Sequence, residues 1–340
     1  MNLLGTIPLL FTCRPIIGES LVGFLLRLTE GNGLRNPNQI LQHLNGRTSR
    51  PPGVSDVGRL AELCNCHPDE VSQLFGFGVK TGAWGTMWRL NGEPITKPYF
   101  ISSRSLAYCP LCLISEPYLR AEWELTLNTC CPMHNVSLLR NCHECGRALR
   151  WKRPGVSICT CGARLTDAIA LGTDGFPLFI ASLIRRAIDS HSSPTQCRSL
   201  SHEIRQKLAN LSLDGLFKTL WLLGEVLPTL APGRHKDRLP KKCSTSDLVL
   251  ERAHTVLSHW PERFLAALPI SNDTKTTNSE EHKTRQEYNA VYEYLSEDMG
   301  SEEFRFIRLA YEYQLNRSWG RRRRTISRSR PWQIELPLEY

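Results

Sequence analysis

Eight residues able to grip a metal ion fall into four close pairs within 53 positions: Cys109-Pro110-Leu111-Cys112, Cys131-Pro132-Met133-His134, Cys142-His143-Glu144-Cys145 and Cys159-Thr160-Cys161. A Cys-x-x-Cys turn sets two sulfurs on the same side of a tight bend, so two such pairs joined by a loop can surround one tetrahedral ion. The first and second pairs are separated by 18 residues and the third and fourth by 13. Sequential pairing gives one site of three thiolates and an imidazole (Cys109, Cys112, Cys131, His134) and one of four thiolates (Cys142, Cys145, Cys159, Cys161). A cross-braced arrangement, first pair with third and second with fourth, needs more chain crossing, so sequential pairing is preferred. The last pair has one spacer residue rather than two and makes a tighter corner.

Two zinc ions with structural roles are the expected cofactors. Catalytic zinc keeps an open position and brings a general base, as in a His-x-Glu with Pro-Cys-x-x-Cys or a His-Glu-x-x-His string. Neither occurs, and both sites have four protein ligands at hand. Cys130 stands beside a proposed ligand and could replace Cys131, but Cys131 keeps the two-residue spacing to His134; His143 sits between two ligands and could compete. Cys13, Cys64, Cys66, Cys197 and Cys243 read as small buried hydrophobes. The 13 cysteines of this 340-residue chain cluster rather than scatter, which suits metal better than a disulfide framework.

The elements that must position these ligands are mostly helical. Spacing around Gly18–Thr29 puts Leu21, Phe24, Leu25 and Leu28 on one face, with Gly31 and Gly33 able to end the helix. Two short helices are expected over Asp56–Cys64, capped by Asp56, and Pro68–Phe75, opened by Pro68, with Leu60, Leu63, Val71 and Leu74 as shared core. That unit is helix-turn-helix-like, with Lys80 and Arg89 near enough for phosphates. Its second helix begins with Asp69 and Glu70, which repel DNA, so packing or protein contact is the preferred role. Beyond the cysteine block, helical spacing runs over Phe176–Ile188, Leu200–Leu211, Leu213–Leu227, Asp247–Leu257 and Arg285–Leu315. The expected architecture is mainly α with small zinc-bound β elements. It comprises an N-terminal helical region over 1–105, a tandem zinc-binding module over 106–165, a helical C-terminal domain over 166–316 and a basic tail over 317–340.

Composition sets the class of partner. A net charge of +9 favours a polyanion, because each Lys or Arg on a phosphate releases condensed counterions. The longest apolar run, Leu216–Leu230, is broken by Lys218 and Glu225, so no membrane span is expected. The opening Met1-Asn2-Leu3-Leu4 lacks a basic leader and cleavage site; a cytoplasmic protein is expected.

Several strings in fixed order resemble the TniQ domain over roughly residues 5–165: Pro15 to Leu21 with its Gly18-Glu19-Ser20-Leu21, Arg27-Leu28, Asn32-Gly33, Tyr108-Cys109-Pro110-Leu111-Cys112, Trp123, Cys131-Pro132-Met133-His134, Leu138-Leu139 and Cys142-x-x-Cys145-Gly146. Trp260-Pro261-Glu262-Arg263-Phe264 resembles a Trp-Pro element of longer members. The resemblance implies a non-enzymatic adaptor in target-site selection for DNA transposition, active at the bacterial nucleoid. It would link target recognition to an AAA+ ATPase regulator and, through it, to the transposase. Some members sit on a guide-RNA-directed CRISPR effector complex, where the protein can be a homodimer. The alternative is a sequence-specific DNA-binding regulator that reads through the helix-turn-helix-like unit and uses zinc as a strut.

Other chemistries have little support. Gly76-Phe77-Gly78-Val79-Lys80-Thr81 lacks phosphate-loop spacing, and the scattered Asp167, Asp174 and Asp189 are no more than chance among 33 carboxylates. The terminal stretch is different. Arg317, Arg321, Arg322, Arg323, Arg324, Arg328 and Arg330, interleaved with Trp319 and Trp332, have no nearby acid and suit phosphate contact and base stacking. Deleting residues 317–332 is expected to weaken DNA binding and flatten its salt dependence; an unchanged affinity and salt slope in a titration would refute the assignment.

Overall fold

The computed structural model describes residues 8–45, 52–75, 79–80, 86–90, 92–102, 106–189, 192–229, 245–268 and 291–319. They form a mainly helical protein with short β elements. Among them no helix is long and apolar enough to cross a membrane.

Helix α1 (Leu21–Gly31) starts where Ser20 turns extended and its Oγ accepts the Gly23 amide at 3.0 Å. It stops at Asn32, whose Nδ2 donates to the Leu28 carbonyl, with Gly33 at φ +63° turning the chain away. The expected stripe is buried: Leu21, Phe24, Leu25 and Leu28 share a core with Ile40, Leu41 and Leu44 of α2 (Asn38–Asn45), Leu60 and Leu63 of α3 (Val57–Cys64), Val71 of α4 (Pro68–Ser72) and Leu74. The opposite face is buried too, since Leu26 packs with Tyr108, Leu119, Trp123 and Val156 of the cysteine block. Helix α1 is therefore a wall common to two cores.

Two expected details here differ. Asp56 does not cap α3; its carboxylate accepts the Gly53 amide at 2.7 Å and closes a 3-10 turn, Val54–Asp56, ahead of the helix. Pro68 opens α4 as expected, but His67 caps it in a reciprocal pair with Glu70, and the helix ends at Ser72 before passing into a 3-10 turn, Gln73–Phe75. Strands β1 (Val79–Lys80), β2 (Thr86–Leu90) and β3 (Glu93–Ile95) then form an antiparallel sheet.

After α5 (Pro110–Ser115) and the hairpin of β4 (Cys130–Cys131) and β5 (Val136–Ser137), the C-terminal helices are α6 (Gly175–Ile188), α7 (His202–Ala209), α8 (Leu213–Trp221), α9 (Leu227–Thr229), α10 (Ser246–Leu257), α11 (Glu262–Ala267), α12 (291–298) and α13 (Arg305–Trp319). The stretch Arg285–Leu315 is thus not one helix. Residues 285–290 lie outside the described set, and α12 and α13 are separated by a break at Gly300 and a 3-10 turn, Glu302–Phe304. The C-terminal core also takes Leu90, Ile95, Phe100, Leu125 and Leu127 from earlier in the chain. Phe100 packs edge-on to Phe217 at 5.2 Å, and Asp214 of α8 accepts the Thr96 amide at 2.7 Å.

Helices α8 and α9 are joined by a π turn, Leu222–Val226, against which α10 crosses. Gly224 permits the crossing, because a Cβ there would lie 2.1 Å from the Val249 carbonyl oxygen. Gly224→Ala is expected to lower stability by about 1–3 kcal/mol, read from the urea unfolding midpoint; an unshifted midpoint would show that the two elements can part at no cost.

Candidate metal centres

Each half of the cysteine block is a knuckle in which a turn aims two donors at one point. Cys109 precedes α5 with Pro110 in the first turn, so Cys112 comes round to the same side. Its partners lie on the β4–β5 hairpin, where Cys131 pairs with Val136 and Asn135 takes φ +54° to close the turn that carries His134. In the second half, the Gly146 amide reaches back to the Cys142 carbonyl at 3.0 Å and the Gly162 amide to the Cys159 carbonyl at 3.0 Å. Both glycines have positive φ, +67° and +92°, which a side chain would oppose. The single spacer between Cys159 and Cys161 is accommodated by that second turn.

The donors converge in the sequential arrangement. Cys109, Cys112, Cys131 and His134 form one group and Cys142, Cys145, Cys159 and Cys161 the other, with the ligand atoms of each within 4.8 Å of one another. In the first, Cys112 Sγ lies 3.5 Å from Cys131 Sγ, and His134 Nδ1 lies 3.6, 3.3 and 3.6 Å from the sulfurs of Cys109, Cys112 and Cys131. In the second, Cys142 and Cys161 are 3.7 Å apart and Cys145 and Cys159 3.9 Å. A tetrahedral zinc ion with ordinary bond lengths needs sulfur–sulfur edges of about 3.8 Å and sulfur–nitrogen edges of about 3.6 Å. The cavities are therefore zinc-sized, and each tetrad can hold one ion.

Electrostatics favour thiolate at three of these positions, Cys109, Cys145 and Cys159; at Cys159 burial works the other way and is outweighed by the backbone N–H of Cys161 and by hydrogen bonds from neighbouring thiols. In the first tetrad, S–H donation from Cys112 and then Cys131 pulls the Cys109 thiol down. In the second, the backbone N–H of Arg147 and then its side chain bring Cys145 down to about 6.

Neighbouring residues that could have competed are held elsewhere. Strand alternation turns Cys130 away from Cys131 and into contact with Leu178 and Ala181 of α6, and burial raises its thiol to about 12. His143 pairs with Glu144 at 3.5 Å outside the tetrad. Cys13 and Cys66 do meet, with the Cys66 thiol 3.5 Å from the Cys13 carbonyl oxygen, a proximity that a separation of 53 positions hides from sequence. Among the described residues, only the two tetrads gather metal-ligating side chains.

The other residues of the family resemblance hold the first knuckle in place. Arg27 grips Glu19 with Nε and Nη2, each at 2.7 Å, while Glu19 accepts the Ile16 amide and Arg27 donates to the Arg14 carbonyl. This clamp fixes the loop before α1, and that loop pairs with the approach to Trp123: the Ser20 amide donates to the Leu119 carbonyl at 2.8 Å and Ala121 to Gly18 at 2.8 Å. Asn32 binds both backbone groups of Phe11.

Residues 10–138 match the TniQ family model. The match covers less than half of the chain and includes the first tetrad, the Glu19–Arg27 clamp and Trp123; the second tetrad lies beyond its end. No curated protein matches the chain.

The tail arginines Arg321, Arg322, Arg323, Arg324, Arg328 and Arg330 lie outside the described residues, as does the Arg317 side chain, whose backbone lies near the end of α13. Lys80 lies on β1, and Arg89 is exposed and donates to the Gly92 carbonyl. The Trp260-Pro261 element wedges α11 against α13, Trp260 lying 4.9 Å from Phe264 and 5.5 Å from Phe306.

Chelation in mild denaturant is expected to release two zinc ions per chain and unfold the 106–165 block before the C-terminal helices. Metal release followed alongside circular dichroism tests this, and a block that kept its structure without metal would contradict it.

Proposed function

We propose that this protein is a non-enzymatic adaptor in transposition target selection, with Cys109, Cys112, Cys131, His134, Cys142, Cys145, Cys159 and Cys161 ligating two structural zinc ions. The observation that carries the reading is the TniQ match over 10–138, which contains a complete four-donor site. Four protein donors leave no position for a substrate, so the metal's role is to hold a surface in shape.

The surfaces around the two knuckles support contact with different partners. Around the first, Leu111, Ile114 and Met133 are exposed, as are Ile169 and Leu171 on the segment that returns beside the hairpin. Apolar side chains grouped in this way suit a protein partner, here an AAA+ transposition ATPase through which the transposase is recruited. Around the second, Arg150 and Lys152 alternate outward along an extended segment with Leu149 and Arg153 inward, and Arg164 is exposed nearby. Among the described residues none of these three has a carboxylate partner, which suits phosphates of target DNA or of a guide-RNA effector complex. The tail arginines from Arg317 to Arg330 would extend that contact. In this reading the 1–105 helices, the 106–165 zinc module and the 166–316 helices present one surface each, and the protein acts in the cytoplasm at the nucleoid.

The regulator alternative requires α4 to read bases. It has only five residues, and Asp69 and Glu70 occupy its first turn, so repulsion opposes entry into a groove. The purified protein alone is expected to leave no footprint on duplex DNA, with protection appearing once the AAA+ ATPase or an effector complex is added. A defined footprint from the isolated protein would support the regulator instead.

A further inference from the structure

The two tetrads differ in how far solvent reaches their sulfurs. In the first, Cys109, Cys112 and Cys131 are sealed, none more than 1% exposed, within the core that holds Leu26, Leu113 and Leu138. In the second, Cys142 and Cys159 are buried, Cys145 is half-buried and Cys161 is exposed. Glycines follow Cys145 and Cys161, and a Cβ added at Gly146 or Gly162 would meet nothing within 4 Å, so the space over both turns is open. Cys161 Sγ lies 3.7 Å from Cys142 Sγ. A disulfide bond is about 2.0 Å long, so the two sulfurs need to close by about 1.7 Å to join. The first tetrad has a pair as near, Cys112 and Cys131 at 3.5 Å, but both of those sulfurs are buried. Access, not spacing, separates the two centres.

We propose that Cys161 is a site of reversible thiol–disulfide modification, through which a low-molecular-weight disulfide opens the second metal centre and leaves the first closed. The proposal rests on the second tetrad binding zinc. The Cys161 thiolate attacks one sulfur of the small disulfide, forming a mixed disulfide and expelling one thiolate. The Cys142 thiolate then attacks the Cys161 sulfur; the Cys142–Cys161 bond forms and the second small thiolate leaves. Two cysteine thiolates have together given up two electrons, and the small disulfide has been reduced to two thiolates. Cys145 and Cys159 alone cannot complete a four-donor site, so the metal is released. The knuckle beside Arg150, Lys152 and Arg164 then loses its crosslink, whereas the knuckle that carries Leu111 and Met133 keeps its own. Reduction by a dithiol in the presence of zinc restores the site.

The test treats the full, zinc-loaded chain with oxidised glutathione, counts released metal with a chromophoric chelator and maps the cysteines by differential alkylation and mass spectrometry. One zinc per chain is expected to leave at least about tenfold faster than the other, with Cys142 joined to Cys161 and with Cys109, Cys112 and Cys131 still reduced. Dithiothreitol with added zinc is expected to restore two ions. Cys161→His keeps a fourth donor but removes the entry sulfur, and is expected to hold two zinc ions and to lose the fast release. Release of both ions at one rate, oxidation of the first tetrad before the second, or a released ion without a Cys142–Cys161 bond would overturn the proposal, as would an unchanged fast release in Cys161→His. If that variant binds only one zinc, the cysteine map of the parent chain decides. A parent chain that binds only one zinc before oxidant is added would refute the second site itself, separately from any result of oxidation.

Discussion

Closure of two four-donor tetrads is the constraint from which the rest of the N-terminal half takes its order. Between residues 106 and 172 the backbone has one six-residue helix, two two-residue strands, short 3-10 turns and several isolated bridges. So little regular pairing cannot fix a chain by itself, since each ordered residue loses about 1–2 kcal/mol of backbone entropy. The tetrads replace it with crosslinks between distant turns. The apolar residues that gather behind them, Leu106, Leu119, Leu138, Leu149, Val156 and Leu165, form a core only once those turns are drawn together. Helix α1 leans on that core through Leu26 and on the helical core through Phe24, Leu25 and Leu28, so metal binding is felt in the N-terminal helices as well.

The metal centres are coupled to the C-terminal helices through a strand of two residues. Because successive side chains on a strand face opposite ways, Cys131 enters the first tetrad while Cys130 enters the packing of α6. A second link runs through Glu122, buried beside Trp123, whose carboxylate takes Arg185 of α6 at 2.8 Å. Residues 90–102 and 125–127 add Leu90, Ile95, Phe100 and Leu127 to the helical core. The TniQ region is therefore packed into the chain that follows it rather than resting beside it.

What can be read from sequence follows from the range of each interaction. The ligands are legible because a knuckle is local: two donors a few residues apart and a loop to the matching pair. The apolar stripe of α1 is legible for the same reason. Asp56 is not, because an acid before a helix can cap it or close the preceding turn, and only the path through Gly53 decides. The break at Gly300 does leave a mark in the pattern, since at about 3.6 residues per turn Val291, Tyr294, Leu295 and Met299 fall on one helical phase and Phe304, Ile307 and Tyr311 nearly opposite; helical spacing within each half hides it when the stretch is read as one. The convergence of Cys13 on Cys66, and the burial of Arg153, are tertiary facts. A lysine-and-arginine-rich stretch such as 147–153 reads as solvated surface, and nothing in it marks which cation will be inside.

The contrast between the two knuckles follows from how each is built. The first fills its interior with apolar packing against α1 and the Trp123 loop, where its imidazole ligand keeps the centre's charge low and Arg120 already has Glu116. That leaves Leu111, Ile114 and Met133 on the outside, in a setting where apolar exposure conflicts with no charge. The second has four cysteines, and basic side chains stand around it: Arg147 on the Cys145 sulfur, and Arg150, Lys152 and Arg164 on the exposed side. The two knuckles of one chain present different exteriors, an apolar one around Leu111, Ile114 and Met133 and a basic one around Arg150, Lys152 and Arg164.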